Sequence, residues 1–97
     1  MIAETIASQM GGTGRLKLFI GAYDFFSCDD GQALCFKFKG SQKANYIKIT
    51  LNPMDTYDIQ FKKIKDLEAD LVGELNGIYC DQLVEIFEEQ TGLFLHF

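Results

Sequence analysis

Residues 33–64 read "ALCFKFKGSQKANYIKITLNPMDTYDIQFKKI", and this stretch decides the fold. Leu34, Phe36 and Phe38 alternate with Cys35, Lys37 and Lys39, the period-two repeat of a strand with one buried face. After "GSQK", Ile47, Ile49 and Leu51 alternate with Tyr46, Lys48 and Thr50. "NPMD" then offers Asn, Pro and Asp in the order a type I turn favours. Beyond it Tyr57, Ile59 and Phe61 alternate with Asp58, Gln60 and Lys62. Strands joined by turns this short must pair antiparallel, with Phe and Ile on the covered face.

Upstream, "RLKLFI" alternates too and predicts a strand over about 15–20. "GAYDFF" reads as a turn-like insert, and Asp30-Gly31 is a hairpin signal. Ile2, Ala3, Ile6, Ala7 and Met10 recur at helical spacing and stop at Gly11-Gly12, which predicts a helix over 2–10. Downstream, "LEADLVGEL" (67–75) fits either a short helix or a fifth, edge strand, and Gly73 weakens both. From Ile78 a helix is predicted that ends near Gly92, with Tyr79, Leu83, Ile86 and Phe87 on its apolar face. Asp81, Glu85 and Glu88 fall opposite, with Glu89 beside them.

The expectation is one α+β domain over 1–97. It has a four-stranded antiparallel sheet, with strands near 15–20, 33–39, 45–51 and 56–64, packed against N- and C-terminal helices. Leu34, Phe36, Phe38, Ile47, Ile49, Leu51, Ile59, Phe61, Leu83, Ile86 and Phe87 are the expected core. At 47% hydrophobic and 13% aromatic, the chain has enough apolar mass to fold without metals or disulfides. No apolar run approaches the roughly 18 residues of a membrane span, and "MIAETIASQM" lacks the basic start of a signal peptide. Three cysteines at irregular spacing fit a reducing cytoplasm, so the expected location is the cytoplasm.

Catalysis finds little footing. The one histidine, His96, stands next to the end of the sequence, where it makes a poor general base. Cys28, Cys35 and Cys80 lack the spacing that zinc requires. Asp29-Asp30-Gly31 lacks the alternating ligands of a calcium loop and reads better as a hairpin turn. "GGTG" has no lysine for a phosphate loop and reads as a helix stop. The expectation is therefore no catalytic residue, no metal, no cofactor and no small-molecule substrate.

Charge is the informative feature. Residues 66–97 hold eight acids and no Lys or Arg, a sum of −8; residues 1–65 hold six acids and nine bases, a sum of +3. Like charges gathered in this way repel, which is a cost unless a partner uses the field. Asp81, Glu85 and Glu88 would span roughly 10 Å of helix axis. That gives a charge density comparable to one DNA strand, with its phosphate every ~3.4 Å. The candidate partner-binding residues are Asp70, Glu74, Asp81, Glu85, Glu88 and Glu89. A second charged surface is the outward sheet face, where Lys37, Lys39, Lys48 and Lys62 surround Tyr46. It could serve as a nucleic-acid platform or simply as a solvated face that blocks edge pairing. The net charge of −5 disfavours general nucleic-acid binding.

Three stretches, "GG" followed by "FIGAYDFF", "KANYIKITLNPMDTYDIQFKKI" and "GIYCDQLVEIFEEQTGL", together resemble a family of small proteins encoded by phages and prophages. With its acid-rich tail and small size, the chain also looks like the type I-F anti-CRISPR inhibitors, some of which mimic DNA. The resemblance implies a crRNA-guided surveillance complex as partner. The acidic surface would occupy that complex's DNA-binding cleft in the bacterial cytoplasm, with no direct binding of nucleic acid or membrane. The alternative is a small phage structural or regulatory protein whose acidic face docks a basic protein.

Overall fold

The strands read from residues 33–64 form the middle of a five-stranded antiparallel meander in the computed structural model, which describes residues 2–28 and 31–95. In chain order the elements are α1 (Ile2–Gln9), α2 (Thr13–Ile20), β1 (Tyr23–Cys28), β2 (Ala33–Lys37), β3 (Tyr46–Leu51), β4 (Tyr57–Lys65) and β5 (Glu68–Ile78). A 3₁₀ turn (Cys80–Gln82) then leads into α3 (Leu83–Thr91). Each strand pairs with its neighbour in sequence, so the spatial order is β1-β2-β3-β4-β5. The single domain is α+β as expected, with one more strand than expected.

Three elements account for the difference. The predicted strand at 15–20 is the helix α2. Leu16 and Ile20 are buried and satisfy either period, but Leu18, which a strand would bury beside them, is 78% exposed. The helix follows a stop in which Gly11 and Gly12 take φ of +105° and +92°, and it ends on Gly21 in the left-handed region. The turn-like insert "GAYDFF" is instead the start of β1. Asp24 at φ +54° and a bulge between Tyr23 and Phe26 break the alternation that would have marked it. The ambiguous segment 67–75 belongs to β5, an edge strand.

All three helices contribute to a core on one face of the sheet. Phe36, Phe38, Ile47, Ile49, Ile59 and Phe61 rise from the strands to meet Ile6, Met10, Leu16, Leu83 and Phe87. Phe87 is central: its ring lies 5.0 Å from Phe38, edge-on, and 6.2 Å from Phe61. Such pairs add about 0.5–1.5 kcal/mol beyond the area they bury. Of the expected core, Leu51 and Ile86 are only partly buried and pack at its margin. Among the described residues, no helix is long and apolar enough to cross a membrane.

Candidate functional site

The last third of the chain builds two acidic segments, β5 and α3, and the register decides where their carboxylates point. In the β4–β5 ladder Ile59 and Phe61 face the helices opposite Leu75 and Gly73, whereas Gln60 faces Glu74 on the open side. Glu74 therefore projects away from α3. It accepts a 3.0 Å hydrogen bond from Gln60 Nε2 and shares a shallow depression with Lys48, Thr50, Asp58 and Asn76. A bulge at Val72, between the pairs Phe61–Gly73 and Lys62–Leu71, shifts the phase of the rest of β5. Asp70 thus falls opposite Lys63 on the helix side, and Glu68 opposite Lys65.

In α3 the buried arc is Leu83, Phe87 and Thr91, three residues at four-residue steps. Thr91 is buried because its hydroxyl donates to the Phe87 carbonyl at 2.7 Å and accepts from Leu93 N–H at 3.1 Å. That arc places Glu85 and Glu89 on the outer ridge, both exposed and in line with the exposed Asp81 of the 3₁₀ turn. Glu88, expected on the ridge, lies on the flank, half-buried, where its Oε2 accepts a 2.8 Å hydrogen bond from Leu95 N–H. It ties the chain that leaves the helix back onto the helix. Tyr79, expected in the apolar stripe, is 63% exposed instead, because the chain enters α3 through the 3₁₀ turn.

The six sequence-predicted acids thus do not form one surface. Asp81, Glu85 and Glu89 make a ridge, Asp70 stands on the same side of the sheet across from a lysine, Glu88 is a tail cap, and Glu74 faces the opposite way. Among the described residues no ion pair involves Asp81, Glu85 or Glu89. The ion pair found there is Lys37–Asp24, at 3.6 Å.

The open sheet face gathers three of the four expected lysines. Lys37, Tyr46 and Lys62 are successive register partners across β2, β3 and β4, with Lys48 one step along. Lys62 Nζ lies 5.7 Å from the centroid of the Tyr46 ring, a cation–π contact. Lys39 departs from this row and lies over Tyr23, at 5.1 Å. Among the described residues, no group of three or more His, Cys, Asp or Glu is arranged to hold a metal ion. His96, Asp29 and Asp30 lie outside the described residues.

No protein-family model matches the chain, and neither the curated proteins nor the solved structures yield a similar one.

Proposed function

We propose that the protein is a non-catalytic, phage-encoded inhibitor that binds a basic, nucleic-acid-gripping protein surface through the acidic ridge of α3. The resemblance points to a type I CRISPR surveillance complex in the bacterial cytoplasm, with the ridge standing where target DNA would lie. The observation that carries the reading is the position of Glu89. It sits in the last turn of a helix that has no basic residue there, against the negative end of the helix dipole. It also lies four residues from Glu85, a like-charge pair that weakens an isolated helix by about 0.2–0.5 kcal/mol. Glu88 is offset by its bond to Leu95, but among the described residues no such bond offsets Glu89. A helix that carries these costs without local relief is better explained by a cationic partner than by solvation.

The ridge also sets limits on the mimicry. Three acids at four-residue steps give one charge per roughly 6 Å of axis at 1.5 Å per residue. A DNA strand presents one per ~3.4 Å. The ridge is therefore a sparse copy of a phosphate row, enough to steer and orient. Exposed ion pairs contribute only about 0–1 kcal/mol each, so apolar contact must supply most of the affinity. Tyr79, exposed two residues before Asp81, is the aromatic best placed to supply it.

The test is a competition on purified surveillance complex with labelled target duplex. The protein should block duplex loading, and duplex loaded first should exclude the protein. If both bind the complex together without interference, the DNA-mimic reading fails and the acidic ridge serves another basic protein. A second reading, direct nucleic-acid binding, is favoured by the cross-strand row Lys37–Tyr46–Lys62 on the open face. A gel shift with single- and double-stranded DNA decides it: retardation lost in Lys37→Glu/Lys62→Glu supports that reading, and no retardation removes it.

A further inference from the structure

We propose that Cys28 and Cys35 form a reactive thiol pair that closes reversibly to an intrachain disulfide and fastens the edge strand β1 to the sheet. The register pairs Cys28 with Ala33 and Phe26 with Cys35, so the two cysteines are diagonal neighbours on one face of the β1–β2 hairpin. Their sulfurs are 2.6 Å apart, about half an ångström beyond the 2.03–2.05 Å of a covalent S–S bond. Little backbone movement separates the dithiol from the bridge.

The two positions differ in access, as a two-step exchange requires. Cys35 is fully buried, whereas Cys28 is partly exposed beside the hairpin turn. The oxidant we invoke is a small disulfide such as oxidised glutathione. The Cys28 thiolate attacks one of its sulfurs, forms a mixed disulfide and expels a glutathione thiolate, which takes up a proton. The Cys35 thiolate then attacks Cys28 Sγ and expels the second glutathione. Two protein thiols and one oxidised glutathione become one protein disulfide and two reduced glutathiones.

What the bridge would hold is one of the two edge strands of the sheet. β1 pairs with β2 alone and is already bulged between Tyr23 and Phe26. Phe25, Phe26 and Ser27 of this strand form one wall of an apolar groove against Ala3 and Ala7 of α1. Opening of β1 would open that groove, and oxidation would oppose it. In a reducing cell interior such a bridge is transient and responsive, whereas in an oxidising compartment it persists.

The experiment uses the full chain with Cys80→Ser, which removes the exposed third thiol and leaves the pair alone. Treatment with oxidised glutathione should lower the intact mass by about 2 Da, abolish maleimide labelling, and be reversed by reduced glutathione or dithiothreitol. Amide exchange across Tyr23–Cys28 should slow by about tenfold or more on oxidation, since closing a loop restrains local opening. Cys28→Ser and Cys35→Ser, each in the same background, should show neither change. If both thiols stay reactive, or glutathione remains attached with no second exchange, there is no pair and the proposal is overturned. If the bridge forms but exchange across β1 is unaltered, the fastening role is overturned.

Discussion

Lys63 of β4 and Asp70 of β5 are register partners on the side of the sheet that carries α3. Lys65 and Glu68 repeat the arrangement at the end of the hairpin. The division of charge along the chain is thus partly undone in space, because the basic end of β4 is folded onto the acidic start of β5. Opposite charges directly across a ladder contribute roughly 0.2–1 kcal/mol, with exposed pairs at the low end. Asp70→Lys should therefore lower stability by up to about 1 kcal/mol, because it sets lysine against lysine. Denaturant melts at low and high salt would check this: the loss should shrink as salt screens the repulsion, and a salt-independent loss would point to another cause.

The helical state of 13–20 can be tested on two leucines. Leu16→Ala should cost about 2–5 kcal/mol as a buried truncation. Leu18→Lys should fall within about 0.5 kcal/mol of wild type, since Leu18 is exposed. Two large losses of similar size would mean that the leucines share one buried face, as in the strand suggested by the alternation.

Residues 33–64 were legible because each strand there has one apolar face, and turn residues mark its ends. Leu16 and Ile20 fit a strand and a helix equally, so only the environment of Leu18 distinguishes them, and that environment is tertiary. β1 was hidden by a left-handed Asp24 and a bulge, and β5 by an edge position that leaves most of its residues exposed. The acidic ridge was legible to within one residue. Burial of Thr91 turns the helix so that Glu89 takes the place expected for Glu88, and no local signal announces a buried threonine. Glu74 was misplaced because the strand that turns it to the open face was itself unresolved. The Cys28–Cys35 contact depends on the register of the β1–β2 hairpin, which was hidden together with β1.

Asn45 acts as an extra rung between β3 and β4. Its Nδ2 donates to the Ile64 carbonyl at 2.8 Å, and its Oδ1 accepts from Ile64 N–H at 2.7 Å. Asn45→Ala removes both bonds and should cost about 1–3 kcal/mol. Asn45→Asp keeps the acceptor but sets a carboxylate against the Ile64 carbonyl. The Ile64 amide should exchange faster in the alanine variant and stay protected in the aspartate variant. Equal exchange in the two would mean that the side chain is not the acceptor.

Burial pushes the Tyr57 hydroxyl above its ordinary value of 10.0, and Cys80 and Asp55 push the same way; the hydroxyl donates a 2.8 Å hydrogen bond to Gln9 Oε1. The folded state thus holds the proton more tightly than the unfolded chain. The stability gained is fully present below about pH 10 and is lost as pH rises through the raised folded value. Melting curves between pH 8 and 12 should show this decline, and Tyr57→Phe should flatten it. The same variant should be about 0.5–1.5 kcal/mol less stable at neutral pH, having lost the bond to Gln9. An alkaline decline of equal slope in both proteins would assign it to the lysines instead.

The acidic ridge makes opposite predictions for stability and binding, which is what separates function from solvation. Glu89→Lys places a cation in the last turn of α3, where the dipole favours it, and converts Glu85–Glu89 into an attractive pair with Glu on the N-terminal side. Together these should raise stability by about 0.5–1.5 kcal/mol. If the ridge docks on a basic surface, the same substitution turns attraction into repulsion. Glu85→Lys/Glu89→Lys should then weaken binding by several kcal/mol, chiefly through slower association, and wild-type binding should fall with added salt as the field is screened over about 8 Å at 0.15 M. Glu74→Lys, on the opposite face, should leave binding unchanged and serves as the control. Melts and surface-plasmon kinetics on the same preparations would read both effects. A variant that is more stable and still binds and inhibits fully would show that the ridge is no docking surface; its acids would then be an unexplained cost to α3.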